Sequence, residues 1–178
     1  HLCPWRKDSA VTNETDVYSN EITNVMDDFI ETDGYARNVR IFDNYMRVSL
    51  SGISLAQALD GPTFICYNVI ADQGLVQAAL EEDFEGYPFK TNGGKGRKTG
   101  SGEVFFYHNT AITNEPDSSA VLIKVAKWRK FTLRNNIWTG RGTGLFTYRK
   151  EISPMDWDYD NLYVKKGPAA VINYHTKY

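Results

Sequence analysis

Asp27-Asp28-Phe29-Ile30-Glu31-Thr32-Asp33-Gly34 is the acidic centre of a longer stretch, Asn20 to Asn44, whose reading decides the fold. The stretch opens at Val17-Tyr18-Ser19-Asn20 and closes on Arg40-Ile41-Phe42-Asp43-Asn44. Its closing signature returns down the chain as Cys66-Tyr67-Asn68, Tyr107-His108-Asn109, Arg134-Asn135-Asn136 and Tyr159-Asp160-Asn161. Counted from Asn20 to Asn161, the intervals are 24, 24, 41, 27 and 25 residues. Four of the five sit close to one value, and the long one reads as a repeat carrying an insertion. A fixed period in this range means stacked units.

Each unit is built from strands. Val39-Arg40-Ile41-Phe42, Tyr45-Met46-Arg47-Val48-Ser49-Leu50 and Ile53-Ser54-Leu55 alternate apolar and polar residues, with Gly34, Gly52 and Gly61-Pro62 between them. The pattern resumes at Glu103-Val104-Phe105-Phe106-Tyr107, Phe131-Thr132-Leu133-Arg134, Leu145-Phe146-Thr147-Tyr148 and Val171-Ile172. No segment sustains a helical period; Leu75 to Glu82 reads as one short helix or turn. About three short strands per unit suit one rung of a parallel β-helix, each strand pairing with its counterpart roughly 4.8 Å away. An inward Asn at a tight turn tolerates left-handed geometry, and its amide can bond the Asn stacked on the next rung. Such a file satisfies polar groups that are costly to bury.

The expectation is therefore all-β: a single-stranded parallel β-helix of about six rungs, with an insertion after the third. Residues 1–16 are irregular, residues 17–178 form the coil, and the insertion covers approximately 71–102. That insertion is acidic at Glu81, Glu82, Asp83 and Glu85, then basic and glycine-rich from Thr91 to Gly100. The phosphate-loop spacing is absent there.

Composition bounds the rest. The 178 residues suffice for one domain, and a net charge of −2 gives no reason to expect nucleic acid as a partner. Cys3 and Cys66 make no disulfide framework. No apolar run is long enough to span a membrane. The abrupt start at His1 and the absence of a polar closing unit after Ala169 to Tyr174 suggest a fragment or module of a longer protein. Open coil ends invite self-association, so a homo-oligomer is expected.

The run from Asp27 to Gly34, then Arg37-Asn38-Val39-Arg40-Ile41-Phe42-Asp43-Asn44, Gly52-Ile53-Ser54-Leu55 and Gly61-Pro62-Thr63-Phe64-Ile65, resembles the right-handed parallel β-helix proteins of the pectate-lyase-like superfamily. Tyr107-His108-Asn109-Thr110 and Arg134-Asn135-Asn136-Ile137 also look like its rungs. The resemblance covers roughly residues 17 to 164. It implies a right-handed coil and export to the medium or cell surface. That superfamily includes lyases, hydrolases, epimerases and non-catalytic adhesins or tailspikes, so the resemblance speaks for fold more than activity.

Stacking the rungs on their Asn residues aligns Ile30, Ile53 and Phe89 as inward positions. Their neighbours Glu31, Ser54 and Lys90 form one outward column, and Asp33, Ala56 and Asn92 a second. Several carboxylates on one short segment repel each other unless a cation compensates or one keeps its proton. Asp28, Glu31 and Asp33 could supply three oxygen ligands to Ca2+. The resemblance points the same way, since many lyases of that kind use Ca2+ against a uronate carboxylate with Lys or Arg as base. Lys90 is the one lysine this register places near Glu31, so Lys90, Glu31 and Asp28 are the catalytic candidates. Arg37, Asp33 and Asn92 are the substrate-binding candidates, with Arg40 and Arg47 as further carboxylate clamps.

The functional expectation is action on an acidic polysaccharide by uronate β-elimination or a related proton abstraction. Two alternatives stay open: a glycan-binding or structural β-helix without catalysis, and a fragment whose decisive residues lie upstream of His1. Trp128, Trp138 and Trp157 could be sugar-stacking platforms or packing.

Overall fold

A computed structural model of the chain describes residues 13–55, 58–73, 86–91, 101–114, 119–123, 128–141, 143–147, 155–167 and 170–172. Among these there is no helix; every regular element is a strand, and every strand pair is parallel. The chain is a parallel β-solenoid. Ala56, the Leu75 to Glu82 segment, Asn92 and the glycine-rich loop after Thr91 lie outside the described residues.

One sheet stacks β1 (Asp16–Tyr18), β3 (Val39–Phe42), β5 (Thr63–Cys66), β8 (Ser101–Tyr107), β11 (Trp128–Arg134) and β14 (Asp156–Asp158) in that order. The other strands form a ten-stranded sheet joined through two long strands, β2 (Glu21–Glu31) and β4 (Tyr45–Ser54). The first half of β4 pairs with β6 (Val69–Gln73), which leads on to β9 (Thr110–Ile112), β12 (Ile137–Gly140) and β15 (Asn161–Val164). Its second half pairs with β7 (Phe89–Thr91), which leads to β10 (Ser119–Ile123), β13 (Thr143–Thr147) and β16 (Ala170–Ile172). Each circuit of the coil thus takes three strands.

The register is the one the Asn spacing implies. Ile30 pairs with Ile53 and Ile53 with Phe89; Glu31 pairs with Ser54 and Ser54 with Lys90. The long interval between Asn68 and Asn109 is one rung deep, because Cys66 pairs directly with Tyr107 and Val69 with Thr110. Alternation fills the interior: Ile41, Ile65, Phe106 and Leu133 from one sheet meet Met46, Ile70, Phe89 and Trp138 from the other. Phe89 sits edge-on to Phe106 at 4.9 Å and to Trp138 at 5.3 Å, an arrangement favoured by the ring quadrupoles.

The polar file runs through that interior. Asn20 Nδ2 donates to Asn44 Oδ1 at 2.8 Å, Asn44 to Asn68 at 2.9 Å, Asn68 to Asn109 at 3.0 Å and Asn109 to Asn136 at 3.0 Å. The same amides bond main-chain carbonyls, Asn68 Nδ2 reaching Ile41 O at 2.9 Å and Cys66 O at 3.1 Å. The residue before each member has left-handed φ: Ser19, Asp43, Tyr67, His108, Asn135 and Tyr159, all between 51° and 58°. That kink turns the next side chain into the coil.

The last member corrects the sequence reading. It is Asp160, not Asn161, which instead opens β15 opposite Ile137. Asp160 Oδ1 accepts from Asn136 N at 2.6 Å and Nδ2 at 3.0 Å, while Oδ2 accepts from Trp138 Nε1 at 2.9 Å. All members donate in one direction, so the file needs only an acceptor here, and a carboxylate offers two. Burial pushes the Asp160 carboxyl up, against these hydrogen bonds.

Candidate functional site

The acidic stretch spans the corner between the two halves of β2. The pairing of β2 with β4 shifts between Val25 and Asp28, a bulge that re-aims the side chains following it. Beyond the shift, Asp27, Asp28 and Glu31 converge, each offering an oxygen within 4.8 Å of the others. Asp27 is exposed, and its Oδ1 accepts the Asp28 N–H at 2.9 Å.

Lys90 arrives from β7, two rungs along. Its Nζ lies 2.7 Å from Asp28 Oδ2, with the two side chains 15% and 4% exposed. This is a buried ion pair, where removing one partner strands the other charge. Asp28 Oδ1 remains buried without a hydrogen-bond partner among the described residues. An unpaired carboxylate oxygen beside two more carboxylates is a hard-oxygen donor set, which suits a Ca2+-like cation.

Asp33 stands apart from the cluster. It is 8% exposed, and its Oδ1 accepts from Ser54 Oγ at 3.1 Å. The cluster expected from Asp28, Glu31 and Asp33 forms with Asp27 in the third place. Nor is the outward column open to solvent along its length, because Ser54 is only 1% exposed. Lys90 pairs with Asp28, which the bulge brings within its reach.

The expected clamps are engaged with aspartates one rung away. Arg37 Nε lies 2.5 Å from Asp60 Oδ2, Arg47 Nε lies 2.7 Å from Asp72 Oδ2, and Arg40 pairs with Asp16. The Arg47 guanidinium holds the Asp72 carboxyl below its usual range, with Asn114 Nδ2 adding a bond at 3.0 Å. These ladders tie rung to rung.

The tryptophans are packing. Trp138 is fully buried, Trp128 is 7% exposed, and Trp157 packs partly buried against the core. His108 stacks on Tyr67 at 4.9 Å. Asp27 belongs to the acidic stretch that the sequence singles out, but takes the ligand place expected of Asp33. The Asp28–Lys90 pair escaped sequence reasoning, because it depends on an irregularity that alternation cannot show. No family model, curated protein or solved structure matches the chain.

Proposed function

We propose that this solenoid acts on an acidic polysaccharide at the face formed by Asp27, Asp28, Glu31 and Lys90, with uronate β-elimination as the reaction. The proposal carries with it the pectate-lyase-like likeness, the right-handed coil of about six rungs and a surface or extracellular setting. The observation that carries it is the convergence of three carboxylates on one spot, with a buried Asp28 oxygen left unpaired. A Ca2+ ion held by Asp27, Asp28 and Glu31 would supply the positive charge that a uronate carboxylate needs. A cation drawing on Asp28 would loosen its hold on Lys90 Nζ. Lys90, after giving one ammonium proton to water, would as a neutral amine take the proton from the carbon beside the uronate carboxylate. The electron pair left behind forms the C=C bond as the glycosidic C–O bond breaks, and the departing oxygen takes a proton from water. Arg37, 48% exposed although paired, is close enough to solvent to exchange Asp60 for a substrate carboxylate.

The test is unsaturated-product absorbance on pectate and alginate with Ca2+ present. The wild type should generate product, Lys90→Ala should generate none, and Glu31→Gln should need more Ca2+. Undiminished turnover in both variants removes the assignment. The Lys90–Asp28 pair itself favours a second reading, glycan binding without turnover, because it occupies the base. That reading predicts retention on a pectate column and intact oligosaccharides by mass spectrometry.

A further inference from the structure

The outer face of the six-stranded sheet carries a file of its own. Tyr18, Phe42, Cys66 and Tyr107 are successive partners in register. Where two rings meet across a rung on this face they stack: Tyr18 on Phe42 at 5.0 Å and 2°, and Phe64 on Phe105 at 5.0 Å and 14°. In the adjoining turn Tyr67 stacks on His108 at 4.9 Å and 3°. The pitch of the coil equals the separation of stacked rings. Cys66 breaks the file with a side chain that has no ring.

A cavity of about 350 Å³ opens at that break, lined by Arg40, Phe42, Phe64, Cys66 and Tyr67. We infer that this notch over Cys66 is a binding site for one uncharged aryl ring, which completes the file on the open side of Phe42. Tyr18 covers the other side of Phe42. Two rungs separate Phe42 from Tyr107, roughly 10 Å, which leaves room for one intervening ring.

The chemistry of the wall selects the ligand. It presents no polar surface, and the Arg40 guanidinium is engaged with Asp16, which leaves its aliphatic stem to the notch. A sugar pressed against such a wall would leave hydroxyls without partners, a cost an aryl ring does not carry. The floor is neutral as well, because burial pushes the Cys66 thiol up and keeps it protonated. The notch lies on a different sheet from the acidic cluster, so neither site depends on the other.

Indole is the probe, titrated into the folded chain and followed by two-dimensional NMR of the aromatic resonances. The expected result is a saturable shift at Phe42 and Tyr67, with a dissociation constant of about a millimolar for so small and open a site. Cys66→Phe supplies the missing ring from the chain itself and should abolish the shift; Cys66→Leu does the same if the phenylalanine variant does not fold. Cys66→Ala should keep it. Methyl glucoside should leave the same resonances still. No saturable indole shift in the wild type, an unchanged shift in the filled variants, or a methyl glucoside shift that matches indole's would overturn the inference.

Discussion

The asparagine file and the acidic corner both bury polar side chains, and they do so on opposite terms. In the file, Asn68 donates to two main-chain carbonyls and to Asn109, and its oxygen accepts from Asn44 N at 3.2 Å and Nδ2 at 2.9 Å. At the corner, among the described residues, Asp28 has one ionic partner, Lys90, and an oxygen with no hydrogen bond. A fully satisfied network stabilises the fold around it, whereas an under-satisfied one costs free energy unless a ligand completes it. The contrast separates the part that builds the coil from the part offered to a partner.

The comparison breaks first at Asn68. Asn68→Ala removes five hydrogen bonds and leaves buried groups at Ile41 and Asn44 short of partners, so urea unfolding should show a loss of about 4 kcal/mol. Ca2+ should not recover it. A loss below about 1 kcal/mol would mean the file is decoration.

Lys90→Ala sharpens the contrast. It strands the Asp28 carboxylate, and without Ca2+ the cost should be about 3 kcal/mol. Millimolar Ca2+ should restore much of it, because a cation replaces the ammonium. Replacing both partners, as Asp28→Asn with Lys90→Met, should cost far less than either alone.

Asp160→Asn turns one acceptor of the file into a donor facing the indole N–H of buried Trp138, a loss of about 1–3 kcal/mol. Its pH signature has a definite sign. The folded carboxyl is raised by burial, so the native state binds its proton first. Asp160 therefore gains stability for the fold as pH falls through its folded value toward the ordinary carboxylate range, and loses it as pH rises. Asp72, lowered by Arg47, does the reverse and loses its contribution as pH falls. Melting curves from about pH 2 to 7 should show Asp160→Asn departing from wild type above the ordinary carboxylate value of about 4 and Asp72→Asn departing below it, with opposite slopes.

The smallest effect belongs to Val48. It has φ 62°, in register with Asn24 and Asp72 at 57°, yet it is β-branched where they are not. Val48→Asn should stabilise by about 1 kcal/mol in the same unfolding assay.

Much of the coil was legible because a fixed period carries register with it. Once Asn44 stacks on Asn20 and Asn68 on Asn44, Ile30, Ile53 and Phe89 must align, and they do. The file's end was misread at Asn161 because residue type was followed where acceptor chemistry decides, and Asp160 accepts as well as Asn. The acidic corner was only half legible. Glu31 and Lys90 fall in one column by counting, but counting does not show that the shift after Val25 brings Asp27 into the cluster and Asp28 to Lys90. Asp33 looked equally available, yet lies buried against Ser54. A bulge is a local packing solution, and no alternation of residue types announces it. The notch over Cys66 was hidden because it depends on which residues flank Cys66 across the rungs, Phe42 and Tyr107, and a thiol in the apolar run Thr63-Phe64-Ile65-Cys66 does not announce that.

The most direct test is calorimetric titration of Ca2+ into the wild type and into Asp27→Asn with Glu31→Gln. The account predicts saturable binding to the wild type, at one ion per chain, and its disappearance in the double variant, with the metal-free melting temperature of that variant close to wild type. No heat of binding in the wild type, or equal binding by both proteins, would contradict it.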